Sequence, residues 1–140
     1  MTSFISRRTL TVQWGDCDPA GIVFNPRFFE YFDASTWLMF EAALGVKQDA
    51  LAATYGIIGI ALVDARANFL KPAKFGDTIE IATRVKEFRR SSFEVEHIIT
   101  NHGEIAVEGG ETRVWAVQDK SNPDKITTAA IPPEVIAKFG

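Results

Sequence analysis

Apolar and polar residues alternate over residues 8–14, with Leu10, Val12 and Trp14 on one side and Thr9, Thr11 and Gln13 on the other. That is the pattern of a half-buried strand. The period then changes. Residues 26–44, PRFFEYFDASTWLMFEAAL, are apolar around most of a helical circumference, with Phe28, Phe29, Phe32, Trp37, Phe40 and Leu44 prominent. Such a helix needs broad cover, not merely a surface to lie on. Asn25 is a favourable N-cap, Pro26 a favourable first helical residue and Gly45 a favourable terminator. Asp33 is out of place in this helix and belongs either to a polar stripe or to a cleft. A second, short helix is predicted over residues 47–55, closed by Gly56.

From residue 58 the chain reads as strands. Over 58–70, Ala61, Val63, Ala65, Ala67 and Phe69 alternate with Asp64, Arg66 and Asn68, and the small alanines would let a helix approach closely. After a turn at 72–76, residues 77–86 place Ile79, Ile81 and Val85 inward. The next strand does the same with Phe93, Val95, His97 and Ile99, and Asn101-His102-Gly103 reads as a tight turn. Residues 104–118 form a last long strand, expected to bulge at Gly109-Gly110. A loop covers 119–124, and Pro132-Pro133-Glu134 opens a short final helix. A strand, a long apolar helix and four strands in hairpin succession predict an α+β fold. Its five-stranded, mainly antiparallel sheet would wrap around one central helix, in a single domain over 1–140. One exposed sheet edge predicts an edge-to-edge homodimer.

Composition narrows the function. The chain has 140 residues, 46% of them hydrophobic, with eleven phenylalanines and three tryptophans, enough for a substantial aromatic core. A net charge of −3 argues against nucleic-acid binding through bulk positive charge. A single cysteine excludes an internal disulfide and points to a reducing compartment. The first ten residues do not resemble a secretory signal, and the longest apolar run, 57–63, is far short of a membrane span. A cytoplasmic protein with neither nucleic-acid nor membrane partner is expected.

The chemistry concentrates in WGDCDPAGIVFN, residues 14–25. It sets two acids, Asp16 and Asp18, ahead of a helix start, where unpaired backbone N–H groups and the helix dipole favour negative charge. An acid beside donors aimed at a developing oxyanion is equipment for acyl-group hydrolysis. Taken alone, Asp-Cys-Asp-Pro is more often a turn. A hard metal ion would need a further oxygen cluster, and Cys17 has no histidine nearby to activate it, so it reads as a small hydrophobe. His97 reads as a hydrogen-bonded structural histidine and His102 as an exposed turn residue.

The loop with its continuation, GDCDPAGIVFNPRFF, resembles the hotdog-fold acyl-CoA thioesterases, and most closely the 4-hydroxybenzoyl-CoA thioesterase type. The resemblance extends over nearly the whole chain, through the helix with Asp33-Ala34-Ser35, KEFRRSSF and the late ETRVWA strand. It implies Asp18 as nucleophile or general base and the Asn25 N–H as the group polarising the thioester carbonyl. Asp16 then fixes the loop. It further implies Arg89, Arg90, Ser91 and Ser92 as contacts for coenzyme A phosphates, a role suited to arginine's fork and permanent charge. The pantetheine arm would thread between subunits, past residues 58–63 of a partner chain. A homodimer with shared active sites is expected, with a homotetramer built as a dimer of dimers favoured over the dimer alone, and no cofactor beyond the coenzyme A of the substrate.

The sequence departs from that type at Asn25, in place of a tyrosine, and at Ile60-Ala61, in place of Thr-Pro, which makes the substrate wall more apolar. Asp33 matches the acid at the aryl-hydroxyl end of the pocket, favouring an aryl-CoA. Short- or medium-chain aliphatic acyl-CoA and a non-catalytic binding module stay open. A branch associated with the bacterial Tol–Pal system shares a similar loop but has a histidine soon after it, absent here. A dehydratase or hydratase would need a histidine paired with an acid at the helix, and this helix has none.

Overall fold

The long apolar stretch forms one helix, α1 (Asn25–Leu44). In the computed structural model, which describes residues 2–140, α1 packs on one face of an antiparallel sheet. The strands are β1 (Ser6–Thr11), β2 (Gly59–Phe69), β3 (Thr78–Phe88), β4 (Ser92–Asn101) and β5 (Glu104–Gln118), in the order β1-β3-β4-β5-β2. This is the α+β hotdog arrangement expected, a five-stranded sheet about a long helix. A three-residue strand, β6 (Ile126–Thr128), adds to β5, and α2 (Gln48–Tyr55) and α3 (Pro133–Ala137) complete the chain.

Apolar burial fixes α1 at both ends. Towards its start, Phe28 and Phe32 pack with Val12, Ile79, Ile81 and Ile99, whereas Met39 and Phe40 meet Phe93, Trp115, Val135 and Phe139 further on. The inward positions predicted for β3 and β4 are all buried. Gly45 ends α1 in the left-handed conformation (φ 69°), its N–H bonded to the Glu41 carbonyl. His102 and Gly103 both take positive φ between β4 and β5, as a two-residue hairpin requires.

Several local expectations are corrected. Asn25 is not the N-cap but the first helical residue, behind an extended Phe24. β1 ends at Thr11 and Trp14 sits 62% exposed in a 3-10 turn, because the acid loop bends away before the alternation is complete. β2 and β3 are not a hairpin: β2 pairs with β5 at the far edge, and the 70–77 connection serves the loop instead. In β2 an extra residue at Val63 inverts the alternation, so that Ile60 faces the core and Ala61 is exposed, while Ala67 beyond the bulge still packs inward. Gly109 and Gly110 pair in regular register, and β5 bulges at Ala106. The glycine at 109 answers a different need, since a Cβ there would stand 2.4 Å from a ring carbon of Phe32. The helix is also less enclosed than predicted. The sheet covers one side only, leaving Asp33, Ala34, Leu38 and Ala42 exposed.

Candidate active site

The segment between β1 and α1 is held by its own backbone. Asp18 N–H donates to the Ile22 carbonyl at 2.9 Å and Gly21 N–H to the Asp18 carbonyl at 2.9 Å. Gly21 makes this turn at φ 79°, where a side chain would be strained. Cys17 and Val23 face each other across the turn, and Phe24 N–H donates to the Asp16 carbonyl at 2.8 Å. The 70–77 connection braces the outside: Val23 N–H reaches the Ala73 carbonyl at 2.8 Å and Phe75 N–H the Gly21 carbonyl at 3.0 Å.

This framework sets out the two acids differently. Asp16 accepts Gln13 N–H at 3.3 Å, the loop-fixing part expected of it. The buried Tyr31 hydroxyl lies beside Asp16 without completing a hydrogen bond of normal geometry, and burial, then the Asp16 charge, pushes its pKa upward. Asp18 is half-buried; its Oδ1 accepts Ala20 N–H at 2.8 Å, and Oδ2 has no partner among the described residues. Asn25, first in α1, offers a backbone N–H that no helical carbonyl can reach, at the positive end of the dipole. Burial and the flanking Asp16 and Asp18 charges raise the Cys17 thiol, making it a poor nucleophile. A cleft of about 200 Å³ beside the helix start is lined by Ile22, Asn25, Phe28, Phe69 and Leu70 among others.

The remaining site residues are dispersed in the single chain. Arg89–Ser92 forms the β3–β4 tip, closed by Arg89 N–H onto the Ser92 carbonyl at 2.8 Å. Arg89 pairs with Glu87 (3.1 Å) and Glu94 (3.5 Å), while Arg90 is exposed and has no ion pair among the described residues. β3 begins beside the acid loop, where Val12 N–H meets the Asp77 carbonyl, and ends at this tip. Eleven residues of strand place the tip on the order of 35 Å from the acids. Of the predicted substrate wall, Ile60 is only 2% exposed, with its carbonyl taken by Arg113, whereas Ala61, Leu62 and Val63 are open.

Asp33 leads to a cluster that the sequence reading missed. It is 56% exposed, and its Oδ1 accepts Arg113 Nη2–H at 2.7 Å. Arg113, 2% exposed, grips buried Glu111 through Nε (3.2 Å) and Nη2 (2.9 Å). Glu111 also receives His97 Nε2 at 3.1 Å and the Thr36 hydroxyl, and His97 Nδ1 meets Thr83 Oγ1 at 2.8 Å. Burial opposes a charge on Glu111, but hydrogen bonds from His97 and Arg113 overcome it and hold its pKa near about 2. His97, stacked on Phe32 at 4.6 Å, is structural as expected, and His102 is exposed. The missed signal was Trp115: on an alternating strand, an inward tryptophan makes Arg113 and Glu111 inward too.

The chain is similar to known proteins over most of its length. The thioesterase-like superfamily model matches residues 12–139. A 4-hydroxybenzoyl-CoA thioesterase of Pseudomonas sp. (strain CBS-3) is 33% identical over 113 residues, covering 77% of this chain and 80% of that protein. The three-dimensional structure of 4-hydroxybenzoyl-CoA thioesterase from that strain superimposes with TM-score 0.88 at 26% identity, over 97% of this chain and 99% of the other. A gentisyl-coenzyme A thioesterase structure matches with TM-score 0.80 at 31% identity, over 94% and 99%. The chain belongs to the thioesterase-like superfamily, in its hotdog fold, and acyl-CoA thioester hydrolysis is its reaction class.

Proposed function

We propose that the protein hydrolyses an aryl-CoA thioester, 4-hydroxybenzoyl-CoA or a close relative, to the free acid and coenzyme A. The observation behind this is the juxtaposition of a half-buried Asp18, one oxygen without a partner among the described residues, with the open N-terminus of α1 at Asn25. The thioester carbonyl oxygen accepts the Asn25 N–H, and the helix dipole stabilises negative charge as it develops there. Asp18 either attacks the carbonyl carbon or takes a proton from a water that attacks. Collapse of the tetrahedral adduct breaks the C–S bond and releases the thiolate of coenzyme A, which takes up a proton. On the nucleophilic route, water then cleaves the acyl–Asp18 anhydride and restores the carboxylate. Coenzyme A enters as part of the thioester substrate and leaves as product, and no separate cofactor takes part in this scheme.

The acyl group is assigned to the aryl class through Asp33. It lies eight residues, about 12 Å, along α1 from Asn25. A second subunit completes the site. β2 is an eleven-residue edge strand with exposed Leu62, Val63 and Phe69, a surface suited to pairing with another copy. Antiparallel pairing of two β2 strands about a two-fold axis sets the acid loop of one protomer toward the β3–β4 tip of its partner. The partner's Arg89, Arg90, Ser91 and Ser92 can then meet coenzyme A phosphates, with Ala61 and its neighbours as wall. Such dimers would associate further into a tetramer, working in the cytoplasm.

Thiol release from 4-hydroxybenzoyl, benzoyl, phenylacetyl and short and long aliphatic CoA thioesters tests the assignment. The highest kcat/KM should fall on the hydroxylated aryl thioester. A preference for aliphatic chains would move the substrate to that class, for which the open Ala61–Val63 wall is already suited.

A further inference from the structure

Resting on the aryl-CoA reading above, we propose that Arg113 is a positioning residue for substrate specificity. Anchored in the core by Glu111, it holds the Asp33 carboxylate in the one orientation that accepts a hydrogen bond from the acyl group's hydroxyl. Four of the five Arg113 N–H donors have fixed partners: two on Glu111, one on the Ile60 carbonyl and one on Asp33. The guanidinium is therefore locked. Glu111 alone balances its charge, so the contact with Asp33 is surplus to the needs of burial. It has a consequence at the surface instead. Asp33 stands 56% exposed on α1 with Oδ1 tied to Arg113 at 2.7 Å, and Oδ2 has no partner among the described residues. No other cation pairs with Asp33 among the described residues; Glu30 and Trp37, one turn to either side, offer none. Without Arg113, Asp33 would be an exposed side chain free to change rotamer, and a recognition group must be held by neighbours that are themselves fixed.

The test compares kcat/KM for 4-hydroxybenzoyl-CoA with that for benzoyl-CoA. Arg113→Met alone strands a buried Glu111 charge, so the informative variant is Glu111→Gln/Arg113→Met, which removes both charges together. Its melting temperature and circular dichroism are recorded beside the kinetics. Asp33→Asn is the reference. The proposal expects the hydroxyl preference to fall on the order of tenfold or more in Asp33→Asn, the scale of a lost hydrogen bond to a charged group. It expects a similar fall in the folded double variant, and no further fall when the two are combined. A double variant that keeps the preference while Asp33→Asn loses it overturns the role of Arg113 and leaves the aryl reading standing. An Asp33→Asn enzyme that keeps the preference overturns both.

Discussion

Two acid sites lie along one helix and are built by opposite means. At the start of α1, Asp18 is held by a backbone turn: its carboxylate caps one N–H, and the rest of the loop is secured by carbonyls and the 70–77 brace. Midway along α1, Glu111 is enclosed by protein, and His97, Thr36 and Arg113 all point at it. The first arrangement leaves an oxygen open for chemistry at little cost to folding. The second ties most of its polar groups to one another and, among the described residues, reaches the surface through Asp33. Folding and bond breaking are therefore separable here: the buried cluster carries stability and, through Asp33, a proposed part in substrate preference, whereas Asp18 carries the chemistry.

The largest stability effect belongs to the buried cluster. Arg113→Met leaves Glu111 desolvated and without its cation, and should cost about 3–5 kcal/mol in chemical denaturation. Next is the packing between α1 and β5. Gly109→Ala drives a Cβ into Phe32, itself stacked on His97, and should cost about 1–3 kcal/mol, with Phe32→Leu recovering part of it.

The acid limb of stability comes third. Glu111 is held near about 2 in the fold against its ordinary 4.5, so the unfolded chain takes up this proton first as pH falls. The group's contribution is complete above about pH 4.5 and is lost as pH drops toward about 2. Denaturation midpoints measured through that window should fall steeply in the wild type and more shallowly in Glu111→Gln. The smallest stability effect is expected at the other site. Asp18→Asn keeps an oxygen for the Ala20 N–H and should change unfolding free energy by less than about 1 kcal/mol. A large destabilisation there, or a negligible one in Arg113→Met, would break the contrast between the sites.

Much of this was legible in the sequence because local patterning and burial agreed. The apolar circumference of α1, the inward rows of β3 and β4, and the two-residue turn at His102-Gly103 all follow from period and turn chemistry. The acid loop stood out because acids before a helix start have a physical use. What escaped was long-range. A one-residue bulge at Val63 puts the two halves of β2 in opposite phase, so that the alternation read from Ala65 and Ala67 fails at Ile60 and Ala61, and nothing within the strand announces it. The β2–β5 pairing depends on where the chain returns, not on the turn at 72–76. Glu111 and Arg113 look like surface charges until Thr36 and Asp33 of α1, 75 and 80 positions away, are brought beside them.

The central claim, that Asp18 performs the chemistry and is not a turn residue, has a direct test. Coenzyme A release by wild type and Asp18→Asn is measured on the best aryl-CoA of the panel, with melting temperatures recorded in parallel. The account predicts a loss of at least about 100-fold in kcat, the low end for a general base and less than expected for a nucleophile, at nearly unchanged stability. An Asp18→Asn protein that turns over within a fewfold of wild type would contradict it.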